Sequence, residues 1–335
     1  MRPTRTIRAS VAALLALALL TSCAGDDPEP PPPSAPEPTP TPEEPVFAPL
    51  TGLEVPEALE HPALSAKIDN NPLARPQFGL ERADVVFEEL VEGGTTRYAA
   101  TWHSDIPEEI GPVRSVRPMD PAIVGPYGGI IAYSGGHFIE QMQATGVTNV
   151  IHDSGQYDDV FHRMPDRIAP HNLLLSAEEV VDRFSDLDAP DELWAFAGEA
   201  SDSTAQSGGA EASLIDLVYS PGESRSWECT DDTWTRSQNG QPDLDSNGDQ
   251  LSATNVIGLS VEVQYVRGDV PETLLVGYEG AGFVSSGCSS VPVTWSQESV
   301  NDPLVLVTED GDEIELAPGN TWIQLVPVTG STSVS

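Results

Sequence analysis

The hydrophobic residues in the first half of the chain change their spacing several times. Residues 64–70 (LSAKIDN), 96–105 (TRYAATWHSD) and 129–134 (GIIAYS) are short apolar runs of the kind that forms β-strands. Residues 137–146 (HFIEQMQATG) have helical spacing, and Gly146 ends that run. This alternation of strands and helices predicts a mixed α/β fold for the first half.

Three further segments fit the same pattern. Residues 83–94 (ADVVFEELVEGG) are compatible with a strand that enters a glycine turn, or with a short helix. Residues 147–153 (VTNVIHD) again predict a strand. In residues 176–187, Ser176 stands three positions before Glu179, which is the spacing of a capping box at the start of a helix.

The second half contains short β-branched and aromatic runs that are separated by turn residues. Its Asp-Gly pair, within residues 309–313 (EDGDE), stands between two such runs and is a hairpin signal. We therefore expect a smaller, mostly antiparallel β domain at residues 214–330. The α/β domain is expected at residues 47–197, and the Gly/Ser/Ala-rich residues 198–213 between them predict a linker or loop.

The beginning of the chain carries the features of an export signal. Positively charged residues precede a short apolar run, and the sequence Leu-Thr-Ser-Cys closes it at Cys23. Residues 1–22 are therefore expected to be a lipoprotein signal peptide, and Cys23 is expected to be the acylated, palmitate-bearing first residue of the mature protein. The alternative is an ordinary signal peptide followed by a chance cysteine.

Residues 23–46 form a Pro/Glu-rich segment in which ten of the 18 residues from Pro28 to Pro45 are proline. Such a composition cannot bury a core and favours an extended spacer. A ligand for a proline-binding domain is the alternative. Together with Cys23, the spacer predicts a bacterial cell-envelope protein that is exported and lipid-anchored to the outer face of the cell membrane.

The chain is strongly acidic, with 53 Asp and Glu against 15 Lys and Arg and a formal net charge of −38. Such a surface repels phosphate groups, so we expect no nucleic acid partner and contact with the bilayer only through acylated Cys23. The cations are unevenly distributed. Residues 47–185 hold nine Lys and Arg and all six histidines, whereas residues 186–335 hold only three arginines against 26 acids.

Apart from Cys23, the sequence contains two cysteines, Cys229 and Cys288. In an exported protein, one disulfide between them is the expected arrangement, and two separate buried thiols are the alternative. The disulfide would leave no thiol for nucleophilic catalysis.

Several motifs occur in a characteristic order. They are PLTGL (49–53), KIDNNPLARPQFGLERADVVFEELVEGGTTRY (67–98), IGPVRSVRP (110–118), YSGGH (133–137), APHNL (169–173) and DPLVLVTEDGDEIELAPGNTWIQLVP (302–327). In these motifs the chain resembles the YerB-like lipoproteins along nearly its whole mature length. The resemblance implies a two-domain envelope lipoprotein of unknown function, and it carries over no catalytic residues.

The polar residues of these motifs are the candidates for ligand binding. They are Asp69, Asn70, Arg75, Arg97, Arg114, Arg117, His137 and Asn172. Arg114 and Arg117 lie between two prolines; they would share a face on a helical turn and point in opposite directions in an extended segment. An anion-binding pocket with Arg97 as a third member is one interpretation, because guanidinium groups bind carboxylates and phosphates. Internal ion pairs to Asp69, Glu88 or Glu92, or simple exposure, are the alternatives.

Glu92 and His171 are the candidate catalytic residues. Glu92 precedes two glycines that would let a ligand approach, and it could act as an acid or base in glycan cleavage. His171, in PHNL, could act as a general base. A structural role is the alternative for both residues.

The sequence predicts no metal site and no cofactor. His137 and Glu140 are one helical turn apart, which is only a weak metal signal, and YSGGH lacks the G-x-S-x-G pattern of a nucleophilic serine. The turn at Asp243–Asp249 resembles the first half of a calcium loop but also a plain hairpin turn, since Thr254 stands where the closing Glu would be.

These observations favour an envelope lipoprotein that binds a polar or anionic cell-wall ligand, peptidoglycan or another glycan, through its N-terminal domain. One alternative is a wall-glycan hydrolase or lyase that uses Glu92. The other is a scaffold that binds protein components of the envelope machinery. The sequence identifies no such protein partner.

Overall fold

Strands make up most of the regular structure in this computed structural model, which describes residues 45–335. Its helices are short: α1 (Asp120–Val124), α2 (Ile139–Gln143), α3 (Ala177–Arg183) and α4 (Thr204–Gly208). Single 3-10 turns lie at Pro72–Ala74, Leu80–Arg82, Glu92–Gly94, Gly125–Tyr127, Asp158–Val160 and Ala200–Asp202. The predicted signal peptide, Cys23 and nearly all of the spacer lie outside the described residues.

The strands are numbered in chain order. Those of the first part are β1 (Val46–Phe47), β2 (Glu54–Val55), β3 (Leu64–Asp69), β4 (Val85–Leu90), β5 (Thr96–Trp102), β6 (Glu109–Ile110), β7 (Ile130–Tyr133), β8 (Thr148–Ile151), β9 (Phe161–Arg163), β10 (Leu173–Ser176) and β11 (Ala195–Phe196). Those of the second part are β12 (Ala210–Glu211), β13 (Leu214–Ser220), β14 (Glu223–Thr230), β15 (Thr233–Gln238), β16 (Gln241–Pro242), β17 (Ser252–Ala253), β18 (Asn255–Val261), β19 (Val263–Val266), β20 (Val270–Thr273), β21 (Glu279–Ser286), β22 (Ser289–Ser296), β23 (Val305–Val307), β24 (Glu315–Leu316), β25 (Thr321–Pro327) and β26 (Ser331–Val334).

One mixed sheet of eleven strands runs through the described unit in the order β12-β22-β21-β18-β25-β4-β5-β3-β7-β8, with β23 paired to β22. The two parts of the chain meet where β25 lies parallel to β4, with Thr321 opposite Val85 and Gln324 opposite Glu88. Residues 45–335 belong to a single compact unit. The two predicted domains therefore share a continuous sheet.

A second sheet, of six strands in the order β16-β15-β14-β13-β26 with β17 paired to β15, belongs to the second part of the chain. Its buried Trp227 packs edge-on against Trp322 of the large sheet, with ring centroids 5.3 Å apart, and Tyr98 packs against the same ring. These aromatic rings belong to one hydrophobic cluster. A second cluster covers the other face of the large sheet, where Ile123 of α1 and Met142 of α2 are buried.

The fold prediction is confirmed in part. Strands and helices do alternate in the first part, but each helix there has only five to seven residues, and sheets dominate. Residues 83–94 form strand β4 and a glycine turn. Ser176 does stand at the N-cap of α3, but its side chain accepts no capping hydrogen bond.

The second part is β-rich, as expected. The turn at residues 309–313 reverses the chain after β23, so that Glu313 forms an antiparallel bridge with Val307 at the end of that strand. Cys229 and Cys288 form the expected disulfide. Among residues 45–335, no helix is long and apolar enough to cross a bilayer.

Residues 198–213, expected to be a linker or loop, contain a 3-10 turn, α4 and β12. Small residues allow this segment to pack closely. Ala205 and Ser203 are buried, and the Ser203 hydroxyl is within hydrogen-bonding distance, 3.2 Å, of the Ser286 hydroxyl in β21. This segment is therefore part of the packed structure.

Candidate functional site

Two neighbouring strands bring a first pair of polar residues together. Asp69 is the last residue of β3 and lies opposite Arg97 at the start of β5. Because side chains alternate along a strand, Asp69 lies on the same face of the sheet as Lys67, two positions earlier. Ser65, Lys67 and Asp69 make this face of β3 polar, whereas the apolar side chains of the strand lie on the opposite face.

The segment that contains Arg114 and Arg117 lies beside β3. The Arg114 backbone N–H donates to the Lys67 carbonyl at 2.8 Å, and the Arg114 carbonyl accepts from Ser134 at 2.9 Å, so the backbone is extended there. At Arg117 the chain turns, because its N–H donates to the Asp120 carboxylate at 2.5 Å. The segment is thus neither a helical turn nor extended throughout, and both side chains reach the same pocket.

This pocket has a volume of about 770 Å³. Its polar and charged lining residues are Asp69, Asn71, Glu92, Thr95, Thr96, Arg97, Arg114, Arg117, His137, His171, Arg267 and Asp269. Four arginines and two histidines thus face three carboxylates in a protein whose formal net charge is −38. The lining is locally cationic in a strongly acidic chain.

Two of the arginines are paired with carboxylates. Arg114 Nε lies 3.2 Å from Asp69 Oδ2, and Arg117 Nε donates to Glu92 Oε2 at 2.7 Å. Arg97 donates to the Ser115 carbonyl at 3.0 Å, and no carboxylate of the described residues lies within ion-pair distance of it. Internal pairing and a cationic pocket, considered above as alternatives, therefore coexist.

Arg97 lies in a buried and positively charged environment. Burial, followed by the positive charges of Arg117 and Arg114, lowers the pKa of Arg97 to about 10. The guanidinium is still charged at neutral pH, but it is held next to like charges. A bound anion would relieve that repulsion.

Glu92 precedes Gly93 and Gly94, which both have a φ of 75° and form the turn between β4 and β5. Burial opposes ionisation of Glu92, but the hydrogen bond from Arg117, together with nearby positive charge, outweighs it and lowers the pKa of the carboxyl. A carboxylate that stays ionised is poorly suited to act as a general acid at neutral pH.

His171 lies next to Asp69 although the two residues are far apart in sequence. The imidazole Nδ1 is 2.7 Å from Asp69 Oδ2. Because a carboxylate only accepts hydrogen bonds, Nδ1 carries the proton in this pair, and Nε2 is left as the basic nitrogen. This orientation is the one that a carboxylate imposes on a catalytic histidine.

Two of the predicted ligand-binding residues belong instead to a buried cluster around Glu88. Asn70 donates to Thr96 Oγ1 at 2.7 Å, and Arg75 donates to the Asn70 side chain at 3.1 Å. Glu88 accepts from Arg225 at 2.7 Å and from Arg236 at 2.8 Å, both from the six-stranded sheet. These contacts link the two sheets. Asn70 and Arg75 do not line the pocket, although their partner Thr96 does.

Of the two remaining candidates for ligand binding, one lines the pocket and the other does not. Asn172 does not line the pocket; its amide donates to the carbonyls of Met164 and Arg167 at 2.9 and 3.0 Å and closes the loop before β10. His137 is exposed and lines the pocket. In the Asp243–Asp249 turn, Asp243 forms an ion pair with Arg236, and Asp245 accepts from backbone N–H groups of its own turn.

The second part of the chain also contributes to the pocket, which was not expected from the sequence. Arg267 and Asp269, in the turn between β19 and β20, also line the pocket. One signal was available, because Arg267 is one of only three cations in residues 186–335. Sequence spacing gives no indication that this turn faces residues 69–171.

Comparison with known proteins agrees with this architecture. Residues 50–189 match the N-terminal domain, and residues 215–323 the C-terminal domain, of a family described as "Protein of unknown function (DUF3048)". The Bacillus subtilis protein named "Putative lipoprotein YerB" is 25% identical over 300 residues, which cover 86% of this chain and 88% of that protein. The crystal structure of YerB from Bacillus subtilis matches with a TM-score of 0.73 and 23% identity, covering 86% of this chain and 99% of that one.

Proposed function

The chain belongs to the DUF3048 family of proteins of unknown function, and we propose that it is a cell-envelope lipoprotein whose arginine-lined pocket binds a polar or anionic cell-wall ligand. Acylated Cys23 anchors the protein to the outer face of the cell membrane, and the spacer of residues 23–46 separates the folded unit from the bilayer. The ligand is a peptidoglycan fragment or another wall glycan that bears carboxylate or phosphate groups.

The anchoring part of the proposal is supported by the residues before the spacer and by the name of the Bacillus subtilis relative, a lipoprotein. Stable anchoring requires more than one acyl chain, and a multiply acylated cysteine meets that requirement.

Replacing Cys23 with serine is expected to move the protein from the membrane fraction to the soluble fraction and to abolish labelling by radioactive palmitate. The measurement is fractionation of cells that express each form, with Ser34→Ala in the spacer as the control because it changes neither Cys23 nor the folded unit. A Cys23→Ser protein that remains in the membrane fraction would contradict the anchor.

The binding part rests on one observation: Arg97 lies in the pocket beside Arg114 and Arg117 with no carboxylate of the described residues to pair with it. Guanidinium groups form bidentate hydrogen bonds with carboxylates and phosphates. Glu92, which is bonded to Arg117, is less suited to the acid role that glycan hydrolysis would require. Ligand binding therefore agrees better with the pocket than glycan cleavage through Glu92 does.

Inorganic phosphate and N-acetylmuramyl dipeptide are suitable probes for residues 45–335, which include both hydrophobic clusters. We expect the Arg97→Met variant to bind each anion about tenfold or more weakly, because a hydrogen bond to a charged group contributes roughly 1.5–3 kcal/mol. Isothermal titration calorimetry gives the affinities.

Arg183→Met is the matched control. Arg183 is paired with Asp159 on the surface of α3 and does not line the pocket. Equal affinities for wild type and both variants would place the anion elsewhere and would refute the proposed binding role of the pocket.

A further inference from the structure

His171 has features that ligand binding alone does not require. Its Nδ1 is fixed by Asp69 at 2.7 Å, whereas its Nε2 forms no hydrogen bond with residues 45–335 and is not among the buried polar atoms. The imidazole is mostly buried, with 15% of its side chain exposed, and it lines the pocket. A basic nitrogen is thus available to a molecule in the pocket.

The same carboxylate oxygen places a guanidinium next to this base. Arg114 Nε lies 3.2 Å and His171 Nδ1 lies 2.7 Å from Asp69 Oδ2, so the two nitrogens are within about 6 Å of each other. Arg114 Nε is also buried without a well-aligned hydrogen bond. Beside it, Arg97 has no carboxylate partner among the described residues. A proton acceptor and two anion-binding groups therefore share one wall of the pocket.

We propose that this pocket hydrolyses a phosphodiester, with His171 as general base, Asp69 as its positioning residue, and Arg97 and Arg114 holding the non-bridging phosphate oxygens. This inference rests on the proposed anion binding and extends it to a reaction. A phosphodiester fits the lining because it is anionic before attack and gains charge on those oxygens during attack, where arginines stabilise it.

The reaction balances without a redox partner. Nε2 of His171 takes a proton from a water molecule as the water oxygen attacks phosphorus. A new phosphorus–oxygen bond forms while the bond from phosphorus to the leaving alcohol breaks. The leaving oxygen takes a proton from solvent, and the imidazolium releases its proton to solvent. The products are a phosphomonoester and an alcohol.

The test uses residues 45–335 with bis(4-nitrophenyl) phosphate and a glycerol phosphate polymer as substrates. We expect His171→Ala to lower kcat by about 100-fold or more, the usual range for loss of a general base, while KM changes little. Added imidazole should restore part of the rate of His171→Ala. His162→Ala is the matched control, because His162 is exposed on β9 and does not line the pocket.

Asp69→Asn tests the positioning role. We expect it to lower kcat without weakening phosphate binding, because it removes a negative charge from the pocket. It should also shift the pH dependence of kcat, since the asparagine amide can donate to Nδ1 and leave the proton of the neutral imidazole on Nε2. A purely structural role for Asp69 would lower the melting temperature and leave that pH dependence unchanged.

Three results would overturn the catalytic inference: no turnover of either substrate, equal rates for wild type and His171→Ala, or a lost rate that imidazole does not restore in a folded variant. If phosphate binds in an Arg97-dependent manner without turnover, the catalytic inference fails and the binding function stands. If phosphate does not bind at all, both fail.

Discussion

Replacing Glu88 with glutamine is expected to lower the free energy of unfolding by about 3–5 kcal/mol at neutral pH, the range for removing one partner of a buried ion pair. The Glu88 side chain is fully buried and lies 2.6 Å from Arg225 and 2.8 Å from Arg236, which are also fully buried. Glutamine keeps the shape but leaves the Arg225 guanidinium without its closest carboxylate. Because both arginines belong to the six-stranded sheet, the change weakens the contact between the sheets.

Urea denaturation of residues 45–335 measures this effect. Glu179→Gln is the matched control, since Glu179 forms an exposed i,i+4 pair with Arg183 that should contribute less than about 1 kcal/mol. A loss below about 1 kcal/mol for Glu88→Gln would show that the cluster does not stabilise the fold.

The stability lost in Glu88→Gln should depend on pH. Burial opposes ionisation of Glu88, but the charges of Arg225 and then Arg236 outweigh it, so its pKa is lowered in the folded protein. A carboxyl with a lowered pKa stabilises the fold above its unfolded value, near 4.5, and this stabilisation is lost as the pH falls through the folded pKa. The difference between wild type and Glu88→Gln should therefore shrink below about pH 4.5.

Removing the disulfide is the second large change. Cys229 belongs to β14 of the six-stranded sheet, and Cys288 stands in the turn between β21 and β22 of the large sheet, so the bond links the two sheets. The two cysteines are 59 residues apart, and opening a loop of that size should lower the free energy of unfolding by about 4 kcal/mol through the entropy of the unfolded chain.

The measurement compares urea midpoints of wild type and the Cys229→Ser, Cys288→Ser double variant, each with and without reductant. We expect reductant to lower the midpoint of wild type to that of the variant and to leave the variant unchanged. A wild-type midpoint that is insensitive to complete reduction would contradict the stabilising role of the bond.

The local elements could largely be predicted from the sequence, because apolar spacing and turn residues act over short distances. Strands β3, β5 and β7 and helix α3 lie within the predicted segments. The parallel pairing of β25 with β4 could not be predicted, since nothing local links residues 321–327 to residues 85–90. The packing of residues 198–213 could not be predicted either. Small residues are typical of loops, but they also allow two segments to pack closely, and the sequence does not distinguish the two cases.

The site could be predicted in part, because some of its residues belong to short local motifs. Polar residues in ordered turn motifs identified Asp69, Arg97, Arg114 and His171, all of which line the pocket. The sequence offered Asp69 and Glu92 as partners for the arginines but could not decide which arginine pairs internally, because an arginine is equally able to bind a ligand or an internal carboxylate. The position of Arg267 depends on how the β19–β20 turn packs against the first part of the chain.

The most direct test of the anion-binding pocket is a crystal structure of residues 45–335 grown or soaked at a phosphate concentration that saturates the calorimetric signal. The account predicts one phosphate in the pocket, with its oxygens within hydrogen-bonding distance of Arg97 and Arg114. A pocket that holds only water at that concentration, with phosphate bound elsewhere on the protein, would contradict it.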